Sequence, residues 1–253
     1  MTTLKQLTAC INDYLETNTF KDYGPIGLQV DASTTISLVG FAVSANLATF
    51  SAAIKKGCQA LVVHHGILWD KNGVEPFSGI FGNRIGTLYR KNLSLLAYHM
   101  PLDVHPVVGN NAQLIAKLDA QISAPFGFCD LGHWGWMATF EKPISGSTLQ
   151  KRLKSIFGTT GHTFLFGPKL IKTIAVITGG GADYIKEARE KKADAFITGE
   201  VKEPTQEIAR EMGISVFAPG HYNTETLGVQ ALAKVIEKNL GVKTIFLDIP
   251  NSL

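Results

Sequence analysis

Three segments of the sequence place imidazoles and carboxylates at close spacing: His64-His65, His99 with Asp103, and His221 with Glu225. Each follows a short apolar run: Ala60–Val63, Leu93–Ala97 and Ile214–Ala218. Apolar runs of that length read as buried strands, and open α/β sheets bind ligands beyond the C-terminal ends of their strands. Imidazole mixed with carboxylate suits iron, manganese, zinc or a similar first-row ion. Three imidazoles and two carboxylates drawn from these segments are too many for one closed tetrahedral site. They fit two divalent ions sharing a bridging carboxylate and a bridging water. Glu225, the longer acid, is the candidate bridge. Two such ions lower the pKa of a bound water and polarise a carbonyl, imine or phosphoryl oxygen, which is the chemistry of metal-assisted hydrolysis. Each segment taken alone also fits a solvated or capping role; the recurrence after three strands is what points to metal.

Local backbone rules constrain how these side chains converge. Consecutive strand residues point to opposite faces, so His64 and His65 serve one cluster only if the chain turns, and Gly66 permits that. Pro101, between His99 and Asp103, argues against regular helix there. His221 and Glu225, at i and i+4, share a face if a helix has begun. His99 is a candidate catalytic acid–base group or a donor that orients a ligand. Glu200, in Thr198-Gly199-Glu200, is a second candidate for positioning a nucleophile or substrate, and fits an ordinary ion pair as well. The loop Thr178–Gly181 reads as a tight turn or an anion contact at a helix start. His105 and His133 read as packing or surface residues.

The elements that must position these residues alternate along the chain. Strands are expected at Val39–Val43, Ala60–Val63, Leu93–Ala97, Ile174–Ile177, Ala195–Ile197, Ile214–Ala218 and Thr244–Asp248. Helices are expected at Asn46–Lys56, Asn111–Leu118, Ala182–Lys192 and Glu225–Lys238. The order also repeats. GFAVSANLATFSAAIKKGCQALVVHHG resembles TIAVITGGGADYIKEAREKKADAFITGE, and the His99/Asp103 segment resembles the His221/Glu225 segment. The fold class is therefore α/β and internally duplicated, with two similar lobes and a metal site in the crevice between them. The first lobe is placed at 1–124 and the second at 125–253, the latter opening with a strand (Trp134–Phe140) and a helix (Thr148–Ile156).

Composition narrows the class. With 45% hydrophobic and 18% charged residues, the 253-residue chain carries enough apolar surface for a real core, which argues against disorder. The net charge of +3 comes from scattered residues, and no Lys/Arg block tracks a nucleic-acid backbone. Three widely spaced cysteines, Cys10, Cys58 and Cys129, form no CxxC pair and read as buried thiols in a reducing compartment. No signal-type run opens the chain and no stretch approaches the roughly 20 apolar residues of a membrane span. A cytoplasmic protein is expected.

Several segments together resemble a known family: YGPIGLQV, VVHHGILW, YHMPLDVHPVVGNNAQL, ITGGG, DAFITGEV, GHYNTE and the terminal FLDIPN. They are similar to the YbgI-like dinuclear metal-binding proteins, often labelled homologues of the second type of GTP cyclohydrolase I, over nearly the whole chain. The resemblance implies that His64, His65, Asp103, His221 and Glu225 are metal ligands. It also implies a duplicated α/β fold, a ring-shaped homohexamer, and the compact bacterial form without the domain inserted in longer relatives. Its label suggests hydrolysis of a nucleotide or related purine. The alternatives left open are a non-catalytic metal-binding scaffold or metal-handling protein, and a di-iron redox protein. Where the family usually has Asn before the Gly-Leu of the first motif, this chain has Ile26, so no polar role falls there.

Overall fold

The computed structural model describes residues 1–70, 73 and 76–252. It separates into two compact units, Met1–Leu102 with Val229–Ile249, and Asp103–Gly228 with the residues from Pro250. The division falls after Leu102, and a C-terminal stretch returns to the first unit. The returning segment does so because its strand β13 (Lys243–Phe246) pairs in parallel with β4 (Leu38–Ser44).

In the first unit, α1 (Leu4–Tyr14) begins at a capping box, in which Thr3 and Gln6 satisfy each other's backbone N–H groups. The main sheet has the order β13-β4-β5-β6-β2, with β5 at Ala60–His65, β6 at Ser94–Ala97 and β2 at Gly27–Val30. Strands β4, β5 and β6 run parallel, and β2 closes one edge antiparallel. The parallel strands are buried almost end to end, as their continuous apolar runs require. Helix α2 (Leu47–Lys56) connects β4 to β5. Its start is fixed by Asn46, whose side chain accepts the Thr49 N–H, and its end by Gly57 at φ +78°. Helix α3 (Gly79–Arg90) connects β5 to β6. Phe50, Leu61, Leu88 and Leu95 form the centre of this core.

The second unit holds a six-stranded sheet of order β7-β8-β10-β11-β12-β9. A long hairpin, β7 (Ala120–Cys129) and β8 (Gly132–Ser145), leads into β9 (His162–Phe164) and then the parallel set β10 (Leu170–Ile177), β11 (Ala195–Thr198) and β12 (Ser215–Ala218). The strand–helix–strand–helix–strand order of β4 to β6 thus recurs in β10 to β12, which is what the sequence repeat describes. Between these strands lie α7 (Ile185–Glu190) and α8 (Thr205–Met212). The expected helix at Ala182–Lys192 opens with a 3-10 turn, Ala182–Tyr184, before α7 begins. Helix α5 (Asn110–Lys117) and α6 (Gly146–Phe157) cover the hairpin side of the sheet, with Leu114, Leu149, Leu153 and Ile174 in one core. A second core, on Phe126, Phe196, Ala209 and Ile214, forms against α7 and α8.

Two elements bear directly on the site. A short helix, α4 (Met100–Val104), forms despite Pro101. The proline sits in the first turn, where its missing N–H would have no intrahelical partner anyway. The 20-residue helix α9 (His221–Leu240) starts four residues earlier than the sequence pattern suggests, so its first turn carries His221. No helix among the described residues is long and apolar enough to cross a membrane.

Phe196 on β11 is fully buried in the α7/α8 core. Phe196→Ala should remove about 3–5 kcal/mol of stability, read from urea unfolding. A loss under about 1 kcal/mol would contradict a tightly packed core at this strand.

Candidate metal centre

Strand β5 remains paired through its last residue, with His65 opposite Ser44 of β4, and the chain leaves the sheet at Gly66. The rings of His64 and His65 are nonetheless neighbours, with centroids 4.5 Å apart. His99, just beyond β6, brings a third ring to 4.9 Å from His64 and 5.6 Å from His65. One ring nitrogen from each of the three lies within 4.8 Å of the others, a group able to hold a metal ion. His99 was a candidate acid–base group in the sequence; the structure places it among the imidazoles of the His-His pair.

Each of these rings has its Nδ1 engaged by the protein. His64 Nδ1 donates to the Tyr98 carbonyl at 3.1 Å. His65 Nδ1 shares a hydrogen bond with Ser44 Oγ at 3.1 Å. His99 Nδ1 donates to Asp22 Oδ1 at 2.9 Å. Such bonds fix ring orientation and leave Nε2 as the nitrogen to offer a cation. Asp22 is held in turn by backbone N–H groups of Met100 and Tyr23, both at 2.7 Å, and its side chain is only 3% exposed. Burial alone would raise its pKa, but the hydrogen bond and charge of His99 and the two N–H donors outweigh burial and hold it below the usual carboxylate value. The turn after His65 is equally fixed. Gln29 Oε1 accepts the Ile67 N–H at 2.9 Å, and a Cβ on Gly66 would sit 2.4 Å from that oxygen. A cavity of about 10 Å³ remains beside His64 and His99, room for about one water-sized group.

In the second unit, His221 and Glu225 sit on the first turns of α9, with Nε2 and Oε1 3.2 Å apart. His221 repeats the pattern of the other rings: its Nδ1 donates to Glu200 Oε2 at 3.0 Å. Burial pushes the His221 pKa down, but Glu225 and then Glu200 outweigh it and raise the value to about 9. Without a metal ion, the ring is therefore protonated at neutral pH, and its Nε2 proton faces Glu225. Asp103, 4% exposed, accepts from Asn110 Nδ2 at 3.0 Å. The neighbouring Asn111 donates to the Asp103 carbonyl and accepts the Thr178 N–H, at 2.9 and 2.8 Å. The loop Thr178–Gly181 is a tight structural turn. The N–H groups of Gly179 and Gly181 donate to Thr224 and Thr198 hydroxyls at 3.0 and 3.1 Å. A Cβ on Gly179 would lie 2.1 Å from Glu225 Oε1.

Apart from Glu200, the residues that hold these rings and acids were absent from the sequence reading. Asp22 lies one position before the YGPIGLQV motif, and Ser44 ends a strand of otherwise apolar residues. The pair Asn110-Asn111 carried a signal, since two asparagines in a helix's first turn are poor helix formers unless their side chains are used. His105 has a local role: its Nδ1 accepts the Val107 and Val108 N–H groups at 3.1 and 3.2 Å.

A family model, Duf34/NIF3 (NGG1p interacting factor 3), matches residues 2–252. The chain belongs to this family. A Vibrio cholerae relative, named GTP cyclohydrolase 1 type 2 homolog, is 39% identical over 97% of this chain and 98% of its own length. Among solved structures, protein ybgI, described as of unknown function, is 34% identical with a TM-score of 0.92, covering 99% of this chain and 100% of that one. A Thermus thermophilus protein is 31% identical with a TM-score of 0.88 over 99% and 100% of the two chains. The Duf34/NIF3 fold is thus shared at full length, and the His/Glu groups described above sit within it.

The raised pKa of His221 has a sign that can be checked. Its folded value, about 9, exceeds the unfolded value of about 6.5. The metal-free protein therefore has this stabilising contribution in full below about pH 6.5 and loses it as pH rises through about 9. Glu200→Gln should lower the upper end of that window, read from the histidine ring proton by NMR. A wild-type His221 titrating at the ordinary imidazole value would contradict the arrangement.

Proposed function

We propose that the chain is a metal-dependent hydrolase acting on a nucleotide or related purine compound, with two divalent ions held by His64, His65, Asp103, His221 and Glu225. The observation that carries the reading is the common orientation of the imidazoles, each with Nδ1 engaged by a protein group. A cluster of histidines serving only as packing has no need for that common engagement of Nδ1. The motif resemblance implies the same five ligands, and the relatives' printed name supports the substrate class. Iron, manganese and zinc all suit this donor set. When bound, such ions supply Lewis acidity that lowers the pKa of water and polarises an oxygen of the substrate.

The chain's own residues account for the remaining roles. Asp22 holds the His99 ring so that Nε2 can take or deliver a proton. Glu200 orients His221 through Nδ1, which makes it a positioning residue. Asn110 holds the Asp103 carboxylate, leaving it little rotational freedom. The ring-shaped homohexamer belongs to this proposal too, and mass photometry checks it.

Elemental analysis of protein purified without added metal tests the ligand set. About two ions per wild-type chain are expected, with most lost in Glu225→Ala at unchanged circular dichroism. Hydrolysis of a nucleotide by the loaded wild type, abolished by chelation, completes the case. Negligible metal in both proteins, even after reconstitution with iron, manganese or zinc, would overturn it.

A further inference from the structure

Beside the three imidazoles of the first unit stand two aromatic side chains that no step above uses. Tyr23 lies 6.5 Å from His99, centroid to centroid, and Trp69 lies 5.3 Å from it, nearly edge-on at 85°. Trp69 also lies 6.3 Å from His65. Tyr23 is 44% exposed, and its backbone is firmly held. Its N–H donates to Asp22 at 2.7 Å, and its carbonyl accepts the Asp70 N–H at 2.7 Å. The next residue, Gly24, runs so close to the Leu68 carbonyl that a Cβ there would sit 2.3 Å away. Trp69 is half-buried, and its indole N–H donates to the Gly66 carbonyl at 3.2 Å. Two loops are thus pinned to each other and hold two large flat rings at the edge of the histidine cluster.

An aromatic face that is rigid before binding loses little conformational freedom when another ring stacks on it. Flat heteroaromatic rings stack on such faces whatever their substituents. The cavity beside His64 and His99 has room for about one water-sized group, so a ring must lie outside it, over Tyr23 and along Trp69. We infer that Tyr23 and Trp69 form the subsite that recognises the flat heteroaromatic ring of the substrate. This inference rests on the hydrolase reading for the word substrate, and on the geometry alone for the ring. It makes Tyr23 and Trp69 the specificity-determining residues and leaves metal binding to the imidazoles and acids.

The test uses the metal-loaded full chain and two probes, guanosine monophosphate and ribose 5-phosphate, which share a sugar phosphate and differ in the ring. Calorimetry on wild type and Tyr23→Ala gives dissociation constants. In a Trp134→Phe/Trp136→Phe variant, Trp69 is the one remaining indole of three and reports the ring directly. Guanosine monophosphate should quench Trp69 emission saturably and bind about tenfold more weakly to Tyr23→Ala. Ribose 5-phosphate should leave Trp69 emission unchanged and bind both proteins alike. Equal responses to the two probes, or equal affinity of guanosine monophosphate for wild type and Tyr23→Ala, would overturn the subsite. The two readings fail separately. Ring-dependent binding without turnover of any nucleotide leaves the subsite standing and removes the hydrolase. Hydrolysis with the same KM in wild type and Tyr23→Ala does the reverse.

Discussion

An imidazole presents one chosen nitrogen to a cation only when the other is engaged, and this constraint organises most of what surrounds the site. His64 is held by a backbone carbonyl, His65 by a serine, His99 by an aspartate and His221 by a glutamate. Those partners come from β4, from the loop before β2, from the residue after β6 and from the loop after β11. Each must arrive in register. Ser44 meets His65 because β4 and β5 pair Val39 with Ala60 and continue in step to the strand ends. A one-residue slip would turn Ser44 to the opposite face. The buried apolar strands therefore serve the site by fixing register as well as by contributing stability.

The electrostatics of the two units differ in a way that suits the proposed ligand set. The first unit offers three imidazoles and one carboxylate, Asp22, already committed to His99 and two N–H groups. The second offers Asp103, Glu200 and Glu225 with a single imidazole. Asp103 and Glu225 are buried, and carboxylates that buried are costly without a positive partner. In the metal-free chain the proton on His221 supplies that charge beside Glu225 and Glu200. Under the proposed ligand set a cation would displace that proton, so metal affinity would depend on pH.

Much of this was legible in the sequence. The eight predicted strands all form, because short apolar runs bounded by turn residues have few other uses in a chain of this length. The strand–helix–strand–helix–strand order occurs in both sheets, in β4 to β6 and in β10 to β12. What could not be read was long-range. The return of β13 to the first unit depends on pairing with β4, near the other end of the chain, which no local pattern encodes. The expected break at Pro101 followed a rule for helix interiors, but the helix is so short that the proline falls in its first turn. Asp22 escaped notice because a lone aspartate in a loop looks solvated; only the fold shows it buried against His99.

The glycines explain how loops rather than helices can hold such geometry. Gly66 lets Gln29 press against the turn after His65, and Gly179 lets the loop after β10 pass against the Glu225 carboxylate. Gly199 allows that same loop to meet the one after β11, where its N–H donates to the Gly179 carbonyl at 2.9 Å. At each point a side chain would occupy space already filled by an oxygen or by backbone, so the loops are held as closely as core elements. At Gly179, φ is also +67°, a region L side chains rarely adopt. Any substitution there strains the backbone and displaces Glu225 at once. Fold stability and the donor geometry are thus coupled through the same atoms, and a variant at Gly179 cannot report on one without the other.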